Sequence, residues 1–163
     1  MKNQIDSVVR DFGDEWSKFK QNKLTQSDLH KQFNSYFNIF PWNKIKKTSI
    51  GIDIGCGSGR WASIVVKKVG LLHLVDPSQN ALDVARSNLK KIKNVTFNNC
   101  SVDELPFDDN SLDFAYCLGV LHHVPNTLEG VKSISKKLKP GAPFLIYLYY
   151  AFENRPFWFR LIW

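Results

Sequence analysis

The chain has 163 residues, 44% of them hydrophobic and 23% charged, which is enough for one domain with a core and too apolar for a disordered chain. Its 22 Lys+Arg against 15 Asp+Glu leave a net charge of +7. The lysines are scattered in small groups near expected helix ends and loops, so the charge reads as solvated surface and no nucleic-acid partner is expected. No apolar run is long enough for a membrane-spanning helix, the longest being Ala142 to Phe152, and "MKNQIDSVVRDF" has no signal-peptide core. Cys56, Cys100 and Cys117 form an odd set without metal spacing. They read as reduced thiols of a cytoplasmic protein that holds no metal.

In chain order, the first stretch is predicted helical. Ile5, Val8, Val9, Phe12, Trp16 and Phe19 recur at helical spacing, with Gly13 a weak point. A second helix places Leu29, Phe33, Tyr36, Phe37 and Phe40 on one face, with Ser27 as its N-cap and Pro41 as its stop. Short strands then alternate with helices. "SIGIDIG" is a buried strand, and Trp61, Ala62, Ile64 and Val65 open a helix. "LLHLVD" is a second strand. A helix follows in "PSQNALDVARSNLKKI", with Ser78 near its start and Ala81, Leu82, Ala85 and Leu89 inward. "NVTFNN" and "SLDFAYCLG" are the third and fourth strands. Thr127 to Leu138 is helical, with Leu128, Val131, Ile134 and Leu138 on one side, and Pro140-Gly141 breaks it. "PFLIYLYY" is a fifth strand, apolar on both faces from Phe144 to Tyr150. The alternation predicts an α/β fold, a doubly wound parallel sheet between two helical layers.

The stretch "GIDIGCGSGRWAS", Gly51 to Ser63, joins the first strand to its helix. Glycines there serve a tight turn, close approach of a ligand to the backbone, or both. The dinucleotide pattern G-x-G-x-x-G would need glycine at position 60, where Arg60 stands. The spacing present is Asp53-x-Gly55-x-Gly57-x-Gly59.

That spacing resembles motif I of the class I S-adenosylmethionine-dependent methyltransferases. Asp76 in "LVDPS", "SVDELPFDDNSLDFAYCLGVLHHV" and "LKPGAPFLIYLYY" are similar to further stretches of the same family, and together the matches cover about residues 48 to 152. The ends of the chain look like those of a type 11-like bacterial subgroup. The resemblance implies a Rossmann-like fold with S-adenosylmethionine as cofactor and S-adenosylhomocysteine as product. It assigns Asp53 to the cofactor's ammonium, directly or through water, and Gly55, Cys56, Gly57 and Gly59 to the loop against the cofactor. Asp76, followed by Pro77, falls to the ribose, where a carboxylate accepts from two hydroxyls. Aligned on Leu105-Pro106-Phe107, the family's usual aspartate falls on Ser101 and its usual glutamate on Asp103, so either residue is the adenine contact. The same resemblance gives the backbone N–H of Val102 to the ring, and adds Leu118 at the end of the fourth strand to the cofactor set.

Methyl transfer to a hydroxyl or amine is helped by a general base. His123 and His122 lie where such a group belongs, past the fourth strand, with Tyr147, Tyr149, Tyr150 and Glu153 nearby. Capping of the strand is their structural alternative. Asp113, at the opposite end of that strand, reads as structural. The aromatic helix from Leu29 to Trp42 either packs on the sheet or closes over the cofactor, and Phe12 and Trp16 belong to the same question. Arg155 and Arg160 among Phe157, Trp158 and Phe159 could face an anionic or aromatic acceptor.

The expected layout is N-terminal helices over 1–47, a cofactor-binding core over 48–152, and the start of a substrate-side segment over 153–163. Family domains continue to two more strands. This chain therefore reads as a C-terminally truncated methyltransferase with five of seven strands, acting on a small-molecule acceptor. The alternative is a cofactor-binding protein without turnover. An apolar fifth-strand edge and aromatic tail would favour self-association.

Overall fold

The computed structural model describes residues 3–18 and 25–149, with the side chains of 15–18 outside that description. The readings on Trp16 and Phe19, on Tyr150 and Glu153, and on the aromatic, arginine-bearing segment after them fall outside the described residues.

Five parallel strands form one sheet: β1 (Ile50–Ile54), β2 (Leu71–Val75), β3 (Val95–Asn98), β4 (Phe114–Leu118) and β5 (Phe144–Tyr147). Their order is β3-β2-β1-β4-β5. Strand order reverses between β1 and β4, so loops after these two strands diverge and leave a crevice beyond their carboxyl ends. The helices are α1 (Asp6–Lys18), α2 (Gln26–Phe37), α3 (Ala62–Val65), α4 (Gln79–Asn88) and α5 (Thr127–Lys137).

Period-two alternation sorts the strand side chains between two cores. Phe114 and Tyr116 join Leu72 and Leu74 under α2, α3 and α4, while Ile52, Ile54, Ala115 and Cys117 face Ile134 of α5. The aromatic helix packs on the sheet. Phe33 and Phe37 stack at 4.2 Å, Phe37 meets Tyr116 at 5.2 Å, and Phe40 meets Phe114 at 6.0 Å. Burying each such ring is worth about 1.5–3 kcal/mol. Gly51 lies opposite Phe114, and a Cβ there would stand 2.0 Å from that ring. The glycine makes room for a core aromatic.

Several local expectations are corrected. The N-cap of α2 is Thr25, whose hydroxyl accepts from the Asp28 N–H at 3.1 Å, because the helix begins before Ser27. Phe40 reaches the core from beyond the end of α2, before a short 3-10 turn at Trp42–Lys44. Leu128 in the first turn of α5 is 62% exposed, leaving Val131, half-buried, with Ile134 and Leu138, buried, as the core contacts of that segment. The fifth strand is four residues long, and Tyr147, Leu148 and Tyr149 face solvent. Among the described residues β5 pairs with β4 alone and forms one edge of the sheet, with β3 the other. No helix among the described residues is long and apolar enough to cross a membrane.

Candidate functional site at the strand ends

The glycine loop is built by backbone geometry. Gly55, Gly57 and Gly59 have φ of 68°, 52° and 74°, the left-handed region that side chains resist. The N–H groups of Gly55 and Cys56 both donate to the Val75 carbonyl, at 2.8 and 3.1 Å, which ties the loop to the end of β2. A Cβ on Gly55 would stand 2.3 Å from Val120, and one on Gly59 would stand 2.9 Å from Leu89 beyond α4. Close packing against two neighbours therefore requires these glycines.

Asp76 follows β2 and is 8% exposed. Its Oδ2 accepts from the Gly57 N–H at 3.0 Å and its Oδ1 from the Ser78 N–H at 2.9 Å. Burial pushes this carboxyl above the usual carboxylate range, and the two backbone donors pull against that rise. Ser78 caps α4 through the Ala81 N–H.

A largely apolar pocket opens beside this corner, with about 830 Å³ free of protein atoms when its open mouth is included. Its lining brings together Gly55, Asp76, Pro77, Ser101, Val102, Leu118 and His123. Asp53, Cys56, Gly57, Gly59, Asp103 and His122 stand outside the lining. Asp53 is 3% exposed and accepts from the Tyr116 hydroxyl at 2.9 Å, on the α2 side of the sheet. Cys56 is buried, and burial drives its thiol pKa up, so it is no nucleophile. Of the two adenine candidates, Ser101 borders the pocket with its hydroxyl donating to Glu104 at 3.2 Å, whereas Asp103 is exposed and accepts from the Asn3 N–H at 3.1 Å.

One wall was raised in the sequence only as the open question of closure over the cofactor by Phe12. Asn3, Gln4, Ile5, Val8, Val9 and Phe12 all border the pocket. Asn3 is clasped at the far rim: its amide donates to the Asn126 carbonyl at 2.8 Å and accepts from the Asn126 N–H at 2.8 Å. At the other end α1 crosses the start of α4 so closely that a Cβ on Gly13 would stand 2.4 Å from Ser78 Oγ. The apolar spacing of α1 was visible, but its docking partner was not.

Past β4, the rings of His122 and His123 lie 4.0 Å apart. His123 meets Phe12 of α1 at 4.9 Å, and His122 meets Tyr149 at 4.4 Å. Burial lowers both pKa values, and for His122 the neighbouring His123 adds to it. Both are therefore neutral near pH 7, the form that can take a proton. Asp113, at the other end of β4, accepts from the Ile50 N–H at 2.7 Å and pairs with Lys139 at 2.7 Å, which is structural work.

The family model of the methyltransferase domain matches residues 52–146. Demethylmenaquinone methyltransferase of Staphylococcus epidermidis is 27% identical over 143 residues, covering 86% of this chain and 58% of that protein. The chain thus spans little more than half the length of the curated relatives it matches. Among solved structures, the YcgJ protein of Bacillus subtilis is 26% identical with a TM-score of 0.65, over 78% of this chain and 52% of that one. Phosphoethanolamine N-methyltransferase 2 of Haemonchus contortus, solved with S-adenosylhomocysteine and phosphomonomethylethanolamine, is 30% identical with a TM-score of 0.64, over 72% of this chain and 28% of that one. The family match covers more than half of the chain and falls on the sheet and the glycine loop, and by it this chain belongs to the class I S-adenosylmethionine-dependent methyltransferases.

Proposed function

We propose that this chain is the cofactor-binding core of an enzyme that transfers a methyl group from S-adenosylmethionine to a small-molecule acceptor. One observation carries the reading. The Asp76 carboxylate directly follows β2, borders the pocket and braces the glycine loop through Gly57. Each of its oxygens has one backbone partner and keeps capacity for a second bond, which suits a pair of ribose hydroxyls.

The rest of the lining fits the same group. Val102 and Leu118 offer apolar surface for a flat base, with Ser101 and Pro77 at the same wall. Gly55 leaves loop backbone bare beside the acid. Cys56, Gly57 and Gly59 act by shaping the loop, and Asp53 acts from beneath it by holding β1 to β4. Asp103 acts by seating Asn3.

The bound cofactor supplies a methyl group on a sulfonium centre. The chain orients that group and excludes water from it, and α1 is the element that closes the pocket. His123, on the pocket wall, is the group that takes the acceptor's proton, with His122 packed beside it. Residues 3–18 thus form the lid, while α2 belongs to the core.

Calorimetry with S-adenosylhomocysteine and NAD tests the cofactor. Binding of the first and not the second is expected, and the reverse would overturn the reading. Formation of S-adenosylhomocysteine with supplied acceptors then separates an enzyme from a protein that only binds.

A further inference from the structure

Beside the pocket lies a rim that the cofactor reading leaves unused. Arg60 directly follows the glycine loop and is partly buried, with its guanidinium 4.0 Å from the Trp61 ring centroid. It donates to Gln32 Oε1 of α2 at 3.3 Å, and no carboxylate pairs with it among the described residues. Burial lowers its pKa, and the phenols of Tyr36 and Tyr149 are near enough to counter that. A guanidinium withdrawn from water without a counter-charge is costly, and an arriving anion relieves the cost.

Aromatic rings continue from this cation along the strand ends. Tyr36 meets Trp61 at 5.4 Å and Tyr147 edge-on at 5.1 Å. Tyr147 meets Tyr149 edge-on at 5.8 Å. Tyr147 is 39% exposed and Tyr149 61%, so the rim is accessible. Its far end is His122, whose two ring nitrogens are closed from solvent and have no hydrogen-bond partner among the described residues. Such unspent polar capacity is uncommon in a folded chain.

Rim and pocket meet at one seam. None of these rim side chains borders the pocket, but His123 does, and it touches both His122 and Tyr149. Gly119 also borders the pocket, and Tyr149 Oη lies 3.8 Å from the position its Cβ would take. A molecule on the rim would therefore reach the pocket without entering it.

We propose that this rim is the acceptor site and that the acceptor is a planar aromatic anion, its ring against the three tyrosines and its negative charge at Arg60. The proposal rests on the methyl-transfer reading of the pocket. A guanidinium fork matches a carboxylate in two parallel hydrogen bonds. Edge-to-face tyrosines suit an aromatic ring. They would also suit an ammonium, but Arg60 repels one.

The test uses the whole chain loaded with S-adenosylhomocysteine and titrated with 4-hydroxybenzoate, benzoate, phenol and ethanolamine by ligand-observed NMR. The expected result is binding of an aromatic carboxylate at least about tenfold tighter than phenol, with that margin lost in Arg60→Gln. Arg60→Lys, which keeps the charge without the fork, gives a second reading of the same margin should Gln disturb the loop. Absence of aromatic-carboxylate binding to a loaded chain, equal binding by Arg60→Gln, or preference for ethanolamine would each overturn the proposal. So would an Arg60→Gln chain that loses S-adenosylhomocysteine but keeps 5′-methylthioadenosine, which lacks the amino-acid end, because Arg60 would then serve the cofactor's own carboxylate. A wild-type chain that binds no S-adenosylhomocysteine is a different failure: it removes the cofactor reading, and the acceptor site falls with it.

Discussion

Tyr116 on β4 donates its hydroxyl to Oδ2 of the Asp53 carboxyl on β1 at 2.9 Å, across the two strands where the sheet reverses its order. Both side chains are sealed: Asp53 is 3% exposed and Tyr116 is 0% exposed. Burial, against the pull of that hydrogen bond and with a push from Asp76, raises the Asp53 carboxyl from 3.8 to about 8. The folded chain keeps a proton that the unfolded chain has already released. Asp53 therefore costs stability progressively as pH rises from about 3.8 to about 8, and the cost is absent below that window. Asp53→Asn should flatten this slope and melt higher than wild type at pH 8. Tyr116→Phe should cost about 1–3 kcal/mol by stranding the acid. Thermal melts from pH 5 to pH 9 check both. A parallel slope in Asp53→Asn would assign the pH dependence elsewhere.

Asp76 should behave differently, because it borders the pocket. Asp76→Ala is expected to weaken S-adenosylhomocysteine by about 1.5–3 kcal/mol, the range for hydrogen bonds to a charged group. Its carboxyl lies above the usual range, so wild-type affinity should fall on acidification earlier than an ordinary aspartate would predict. Calorimetry at several pH values on wild type and Asp76→Asn checks this, and a profile that the variant shares would count against the ribose role.

Much of this was legible from residue order. The strand and helix alternation, the acid after β2 and the glycine spacing are local signals, and each landed on the element expected. Ser78 as a cap was readable because capping is a matter of neighbours. Asp53 was harder. Its place on β1 followed from the pattern, but its partner Tyr116 is 63 positions away, and only the register of β1 on β4 aligns them. The α1 wall was left open between packing and closure for the same reason, since an amphipathic spacing states which face is buried and not against what. Ser101 and Asp103 were inseparable in the sequence because they are two residues apart; the backbone turn between them sends one to the pocket and the other to Asn3.

Gly55 offers a test of strain against sterics. Gly55→Ala places a Cβ on a backbone with φ of 68° and 2.3 Å from Val120. It should destabilise the chain by about 1–2 kcal/mol from the dihedral alone, with the clash added. Adding Val120→Ala should recover the second part and leave the first. Chemical denaturation of the single and double variants separates them, and full recovery in the double variant would show that the dihedral imposes no strain.

Gly13 should matter for α1 and little else. In Gly13→Val the new side chain meets Ser78, so α1 should lift from α4 while the sheet keeps its melting temperature within a few degrees. Limited proteolysis should then cut within residues 3–18 at least about tenfold faster, as expected when a segment's opening free energy drops. Unchanged cutting would mean that α1 tolerates the displacement.

The clasp between Asn3 and Asn126 has a consequence for how the chain matures. Its two ends are 123 positions apart, and the neighbouring contact to Asp103 spans 100. Contacts of that separation carry the largest loop-closure cost and are made late. During synthesis residues 3–12 leave the ribosome well before the surface they cover, which is incomplete until Asn126 has followed. A segment made before the sheet is thus seated after it, and the pocket acquires this wall only after β1 to β4 have assembled beneath it.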